Sequence, residues 1–176
     1  KGRHLVFYEV VEWNEEETDT LSSIGFATSD GGIEWVEENY GASVLYASQD
    51  WEQGSVGAPS VIFYNGQFYM WYAGGNGNGI GMATSDDGIE WHKYEDNPVL
   101  VPDQLWEGGP DHGVVGAPCV IHHNGRLMMY YSGGLLGGPV MARHVGRSIG
   151  YAQSLNGVDW VKIDPYGNSN ENGSDE

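Results

Sequence analysis

Ser23 to Trp35 reads SIGFATSDGGIEW, Gly79 to Trp91 reads GIGMATSDDGIEW, and Ser148 to Trp160 reads SIGYAQSLNGVDW. A second phrase stands between them, VGAPSVIFYNGQFYMWYAGG from Val56 and VGAPCVIHHNGRLMMYYSGG from Val115. Each is a run of β-branched and aromatic residues broken at an Asn-Gly or Asp-Gly pair, the pair that supplies the positive φ angles of a tight hairpin turn. One repeat is therefore a small antiparallel sheet. Equivalent residues recur 56 positions apart (Trp35 to Trp91), 59 apart (Pro59 to Pro118) and 69 apart (Trp91 to Trp160). That is the period of a propeller blade, so an all-β propeller is the expected fold.

The second copy sets out one blade. Ser60 to Tyr64 forms a first strand, Asn65-Gly66 turns the chain, and Gln67 to Ala73 returns as a second. A glycine-rich loop, Gly74 to Asn78, leads to a third strand at Ile80 to Ser85, and Asp86-Asp87-Gly88 turns into a short fourth carrying Trp91. Small residues recur on the third strand (Gly25, Ala27; Gly81, Ala83; Gly150, Ala152), while bulky ones fill the second from Phe68 to Tyr72. This pairing suits sheets stacked closely, with an aromatic ring on a small-residue seat. Val61 to Tyr64 and Val120 to His123 are expected innermost, and Trp35, Trp91 and Trp160 near the outer edge.

The first copy lacks the first-strand phrase, because His4 to Tyr8 matches the second strand of later copies. The divisions expected are residues 1–55 as a partial blade with connector, 56–114 as a blade with connector, 115–166 as a blade, and 167–176 as a polar tail or linker. An arc of roughly three four-stranded blades leaves two blade faces bare, which calls for remaining blades of its own chain or a partner protein.

Composition restricts the partners further. Seven basic against 25 acidic residues give a net charge of −18, which repels nucleic acid and anionic membranes. No window approaches the roughly 20 apolar residues of a membrane-spanning helix. Cys119 is the single cysteine, so no internal disulfide forms and the redox compartment stays open.

The combination IGxATSxDGIxW, NPVL, a Trp-Glu pair, VGAPxVI and a Tyr-rich second strand resembles the five-bladed propellers of the arabinanase, levansucrase and invertase superfamily, which holds glycoside hydrolase families 43 and 32. The resemblance runs from about Leu5 to about Lys162 and rests on blade scaffolding that every copy shares. It implies a five-bladed ring, an extracellular or periplasmic setting, and carboxylates just before a proline where innermost strands start. Here those positions are Gly57-Ala58-Pro59 and Gly116-Ala117-Pro118, and neither Ala58 nor Ala117 can transfer a proton. Two readings follow: a glycosidase-like propeller that acts on or binds carbohydrate, or a catalytically silent one serving as a carbohydrate-binding or structural subunit. A sialidase-type box, approximated by Thr84, Asp86, Gly88 and Trp91, is a remoter likeness. Its acid, Asp86, is expected to cap its own turn and not to catalyse.

Acids near the expected funnel lie just upstream of the first strands. Asp50-Trp51-Glu52 precedes the first Gly-Ala-Pro, and Trp106-Glu107, Asp111 and His112 precede the second. A tryptophan beside carboxylates has the composition of a sugar subsite, with a ring to stack and acceptors for hydroxyls. Glu107 and Asp111 are the candidate catalytic acids, with Trp51, Glu52, Trp106 and His112 as substrate contacts. The plainer alternative is that Trp-Glu is a connector between blades. Pro110, Asp111 and His112 occur in one copy alone, which favours a specific role for them.

His122-His123 replaces Phe63-Tyr64, and adjacent strand residues point to opposite faces, so at most one faces the axis. No zinc spacing is present and no cofactor is called for. Calcium beside a single axial histidine, as the resemblance implies for some family 43 members, is the one ion kept open. The stretch Gly133 to Arg147, with Arg143, His144 and Arg147, lengthens one connection by about 13 residues, and an inserted loop of this size is expected to make partner or substrate contacts.

Overall fold

The computed structural model describes residues 2–13, 20–135 and 148–163. Its strands form three antiparallel sheets, one for each copy of the repeat. The first holds β1 (His4–Trp13), β2 (Thr20–Ser29) and β3 (Val36–Glu37). The second holds β4 (Val56–Tyr64), β5 (Gln67–Gly74), β6 (Gly79–Ser85) and β7 (His92–Lys93). The third holds β8 (Gly113–His123), β9 (Arg126–Leu135), β10 (Ser148–Ser154) and β11 (Val161–Lys162). Strands are adjacent in chain order within each sheet, the pattern of a blade. The register aligns β1 with β5 and β9: Tyr8 faces Gly25 as Tyr72 faces Gly81 and Tyr131 faces Gly150.

First strands of neighbouring blades lie side by side, tied where the Val120 amide donates to the Ser60 hydroxyl at 2.8 Å. They begin earlier than expected. β4 starts at Val56 and pairs through Gly57, then slips register across Ala58-Pro59, and β8 does the same between Gly116 and Cys119. Proline has no amide for the ladder, so the Gly-Ala-Pro phrase makes a β-bulge instead of a strand end. Ala58 and Ala117 sit in the left-handed region there, at φ 47° and 46°. The fourth strands also differ from expectation, since Trp91 lies just before β7 and its ring returns to donate to the Gly88 carbonyl at 2.9 Å.

The aromatic seats are of two kinds. Within a blade, Tyr8, Tyr72 and Tyr131 lie over their cross-strand glycines, and a Cβ on Gly81 would stand 2.6 Å from the Tyr72 ring. Between blades, an aromatic of one second strand covers the turn glycine of the next. Phe7 lies over Gly88, and Trp71, fully buried, donates its indole N–H to the Gly157 carbonyl at 2.9 Å. Trp91 and Trp160 meet these rings edge-on, at 5.6 and 5.9 Å between centroids. The Tyr72–Gly81 and Tyr131–Gly150 pairs place Tyr130 at the Trp71 position of the third blade. Tyr130 is 46% exposed, and on β10 Ile149, paired with Ser132, is 79% exposed. The outward face of the first blade is similar, with Ile33 and Trp35 exposed. Both end faces of the arc are thus apolar and bare among the described residues.

The turn after each third strand corrects one assignment. Asp87, not Asp86, folds back: its Oδ1 accepts the amides of Ile89 and Glu90 at 2.8 and 2.9 Å. These amides hold its carboxyl below the usual aspartate range. Asn156 does the same for Val158 and Asp159 at 3.0 and 2.9 Å, so a neutral oxygen suffices. Asp86 is exposed and accepts from the Gln67 side chain. Asp87→Ala should therefore cost about 0.5–2 kcal/mol, the scale of a lost backbone cap. Asp87→Asn and Asp86→Asn should stay within about 0.5 kcal/mol of the parent. Urea unfolding of the three variants checks this, and a larger loss for Asp86→Asn would restore the original assignment.

Candidate functional site

Trp-Glu occurs in both connectors because it builds the same joint twice. Glu52 closes a 3-10 turn at Asp50–Glu52, and its Oε2 accepts the amides of Ser48 and Gln49 at 2.6 and 2.8 Å. Tyr72 of β5 donates its hydroxyl to Oε1 at 2.9 Å, and Lys93 of β7 reaches both oxygens at 2.6 and 2.7 Å. In the next blade Glu107 takes the amides of Asp103 and Gln104, each at 2.9 Å, with Tyr131 and Lys162 each at 2.7 Å. One carboxylate thus clamps the connector, the second strand and the outermost strand of a blade. Both glutamates are fully buried.

This geometry corrects the expected place of Glu107 and Glu52. Neither faces a funnel, and a carboxylate saturated by an ammonium, a phenol and two amides has no acceptor capacity left for a substrate. The tryptophans are part of the same joint. Trp51 fills the space over Gly74, where a Cβ would come 2.5 Å from its ring, and donates to Gln49 Oε1 at 2.9 Å. Trp106 fills the same space over Gly133, 5.9 Å from the Tyr131 ring. Each indole is half-buried and has one face against glycine.

Asp111 and His112 are placed differently. They close a one-turn helix, α1 (Gly109–His112), inserted between the Glu107 joint and β8, and both are exposed. With Asp103, Pro102, Asn78 and Val114 they line a cavity of about 530 Å³. Asp103 lies at its rim, its carboxyl held below the usual range by Lys162 and Gln104 although burial opposes this. The Gly75–Gly77 turn between β5 and β6 walls one side, for a Cβ on Gly77 would stand 2.7 Å from Val114. Across that turn is a second cavity of about 260 Å³, lined by Glu9, Ser22, Gly57, Ala58 and Gly75. Both open where first strands start. Sequence reading overlooked Glu9 because it sits on a second strand, away from the Gly-Ala-Pro phrase. The available signal was its departure from the repeat, which has Ala73 and Ser132 at the equivalent positions.

The histidines of the innermost strand are both exposed. The His122 ring lies 4.3 Å from that of Tyr64 on the neighbouring first strand, and His123 contacts Asn124. Among the described residues no three His, Cys, Asp or Glu side chains gather to hold a metal ion, and no helix is long and apolar enough to cross a membrane. Val140, Met141, Arg143, His144 and Arg147, on which a contact role was expected, lie outside the described residues, as does the tail at 167–176.

A chain of repeated antiparallel blades is similar in fold to solved glycoside hydrolases. Zg3597, a family 117 glycoside hydrolase from Zobellia galactanivorans, superposes with a TM-score of 0.71 at 19% identity, over 93% of this chain and 52% of that one. Fructan 1-exohydrolase IIa from Cichorium intybus gives 0.67 at 19% identity, over 93% and 30%. In sequence, the Uncharacterized protein Rv1502 of Mycobacterium tuberculosis (strain ATCC 25618 / H37Rv) is 28% identical over 123 residues, 69% of this chain and 39% of that protein. The chain thus spans about two fifths of the length of the curated relative it matches. No family profile matches the chain.

Proposed function

We propose that this chain is part of a propeller that binds carbohydrate at the end of the blades where the first strands start, in the manner of a glycoside hydrolase. The observation that carries the reading is the cavity of about 530 Å³ lined by Asp111 and His112, on a helix that the repeat does not require. It falls in the usual volume range of small-molecule sites, about 300–1,000 Å³. Its exposed carboxylate and imidazole suit hydroxyl recognition, and the net charge of −18 favours a neutral ligand over an anionic one. The solved neighbours named as glycoside hydrolases support the same class. Of the two candidate acids, Asp111 alone is free to meet a substrate. The bare end faces at Tyr130 and Ile149, and at Ile33 and Trp35, fit further blades of the same protein, five in all by the superfamily resemblance.

A silent binding or structural role is the second reading, favoured by Ala58 and Ala117 and by the burial of Glu107. Titration with arabino-, fructo- and manno-oligosaccharides, with release of reducing sugar followed in parallel, separates the two. For an enzyme, Asp111→Asn should slow turnover by on the order of a hundredfold or more. For a silent binder, binding occurs without release, and Asp111→Asn weakens it. No binding and no hydrolysis across the panel would leave the structural role.

A further inference from the structure

We infer that Glu9 is a saccharide-binding carboxylate, held over the Gly57–Ala58 bulge by the neighbouring blade and serving a subsite beside the Asp111 cavity. The inference rests on the carbohydrate reading and assigns that reading a second acid. The repeat supplies the comparison. At the junction of the second and third blades, the residue against the bulge glycine is Ala73, whose methyl lies 3.4 Å from where a Gly116 Cβ would stand. At the junction of the first and second blades, the equivalent residue is Glu9, and a Cβ on Gly57 would collide with its carboxylate. Gly57 therefore makes room for an acid where the next blade needs room for a methyl group alone.

The bulge also presents a donor to that acid. Ala58, at φ 47°, turns its amide to the Glu9 Oε2 at 3.1 Å. An alanine in the left-handed region is strained, so the surrounding structure must hold the bulge in place. A carboxylate has about four acceptor sites, and the Ala58 amide takes one of them. Glu9 is exposed at the cavity of about 260 Å³, whose other walls include Ser22, Gly75 and Asn76. That volume is below the range for drug-sized ligands, about 300–1,000 Å³, and suits one sugar ring. The glycine walls bring backbone groups to the ring, and the carboxylate accepts from its hydroxyls. The Gly75–Gly77 turn lines this cavity and packs on Val114 of the cavity holding Asp111, a placement that lets successive sugars of one chain occupy the two.

The test is calorimetric titration of the intact chain and two variants with arabino-, fructo- and manno-oligosaccharides. Glu9→Gln retains an oxygen for the Ala58 amide and removes the charge. Gly57→Ala leaves Glu9 in the sequence and displaces its carboxylate. Thermal melts confirm that both variants fold. A loss of affinity of tenfold or more in both supports the inference. Parent-like binding in both variants overturns it and leaves the carbohydrate reading standing. Absence of binding by the parent overturns both.

Discussion

Lys162→Met should lower the stability of this chain by about 3–5 kcal/mol, the cost of leaving a buried charge without its partner. Lys162 is the only cation bonded to Glu107 among the described residues, and the carboxylate is fully buried. Lys93→Met should do the same to Glu52, with which Lys93 pairs at 2.6 Å. The double variant Glu107→Gln with Lys162→Met should recover much of the loss, because two neutral groups of similar shape leave no unpaired charge. Urea unfolding followed by tryptophan fluorescence measures all of these. A loss under about 1 kcal/mol, as for an exposed pair, would show that the joints do not hold the blades.

The same joint sets an acid limit. Burial pushes the Glu52 carboxyl up, but Lys93, the amides of Gln49 and Ser48, and the Tyr72 hydroxyl together hold it below its ordinary value of 4.5. A depressed value in the folded state contributes stability above the unfolded value, and that stability is lost as pH falls through the folded one. The parent should therefore lose stability below about pH 4.5, and Glu52→Gln should show a flatter decline. Equal slopes for both would remove Glu52 from the acid response.

Trp71→Ala should cost about 3–5 kcal/mol, the range for deleting a buried tryptophan. It removes the ring that spans from β5 of the second blade to the Gly157 turn of the third, together with its 2.9 Å bond to the Gly157 carbonyl. Gly157→Ala attacks the same seat from the other side: the residue has φ 81°, and a Cβ would stand 2.8 Å from the Trp71 ring. Both variants should loosen the third blade first, so hydrogen exchange should rise in β8 to β11 before β4 to β7. Uniform exchange across both blades would mean that Trp71 is not the link between them.

The blades were legible because their signals are local. Asn-Gly turns, alternating aromatics and the Trp after each Asp-Gly turn fix strands and register with no reference to the rest of the molecule. The Asp86 assignment missed by one residue because two adjacent aspartates offer the same composition, and the backbone decides which one folds back. Glu107 was misplaced for a different reason. Sequence reading placed it by the superfamily's funnel, whereas its partners Tyr131 and Lys162 stand 24 and 55 residues away. A lysine on the outermost strands of the second and third blades, Lys93 and Lys162, was the available clue to a joint. Glu9 was invisible to a search for acids before prolines, since it reaches the bulge from another blade. Asp111 and His112 stand out in the sequence because insertion into a regular repeat is itself a signal.

The proposed sugar contact is tested most directly by amide chemical shifts of the intact protein titrated with the same oligosaccharides. Shifts concentrated at Asn76 to Asn78, Ala58 and Asp111 to Val114 are the expected result. Shifts confined to the opposite end of the blades, at Asn65-Gly66 and Asn124-Gly125, would contradict the assignment of the site.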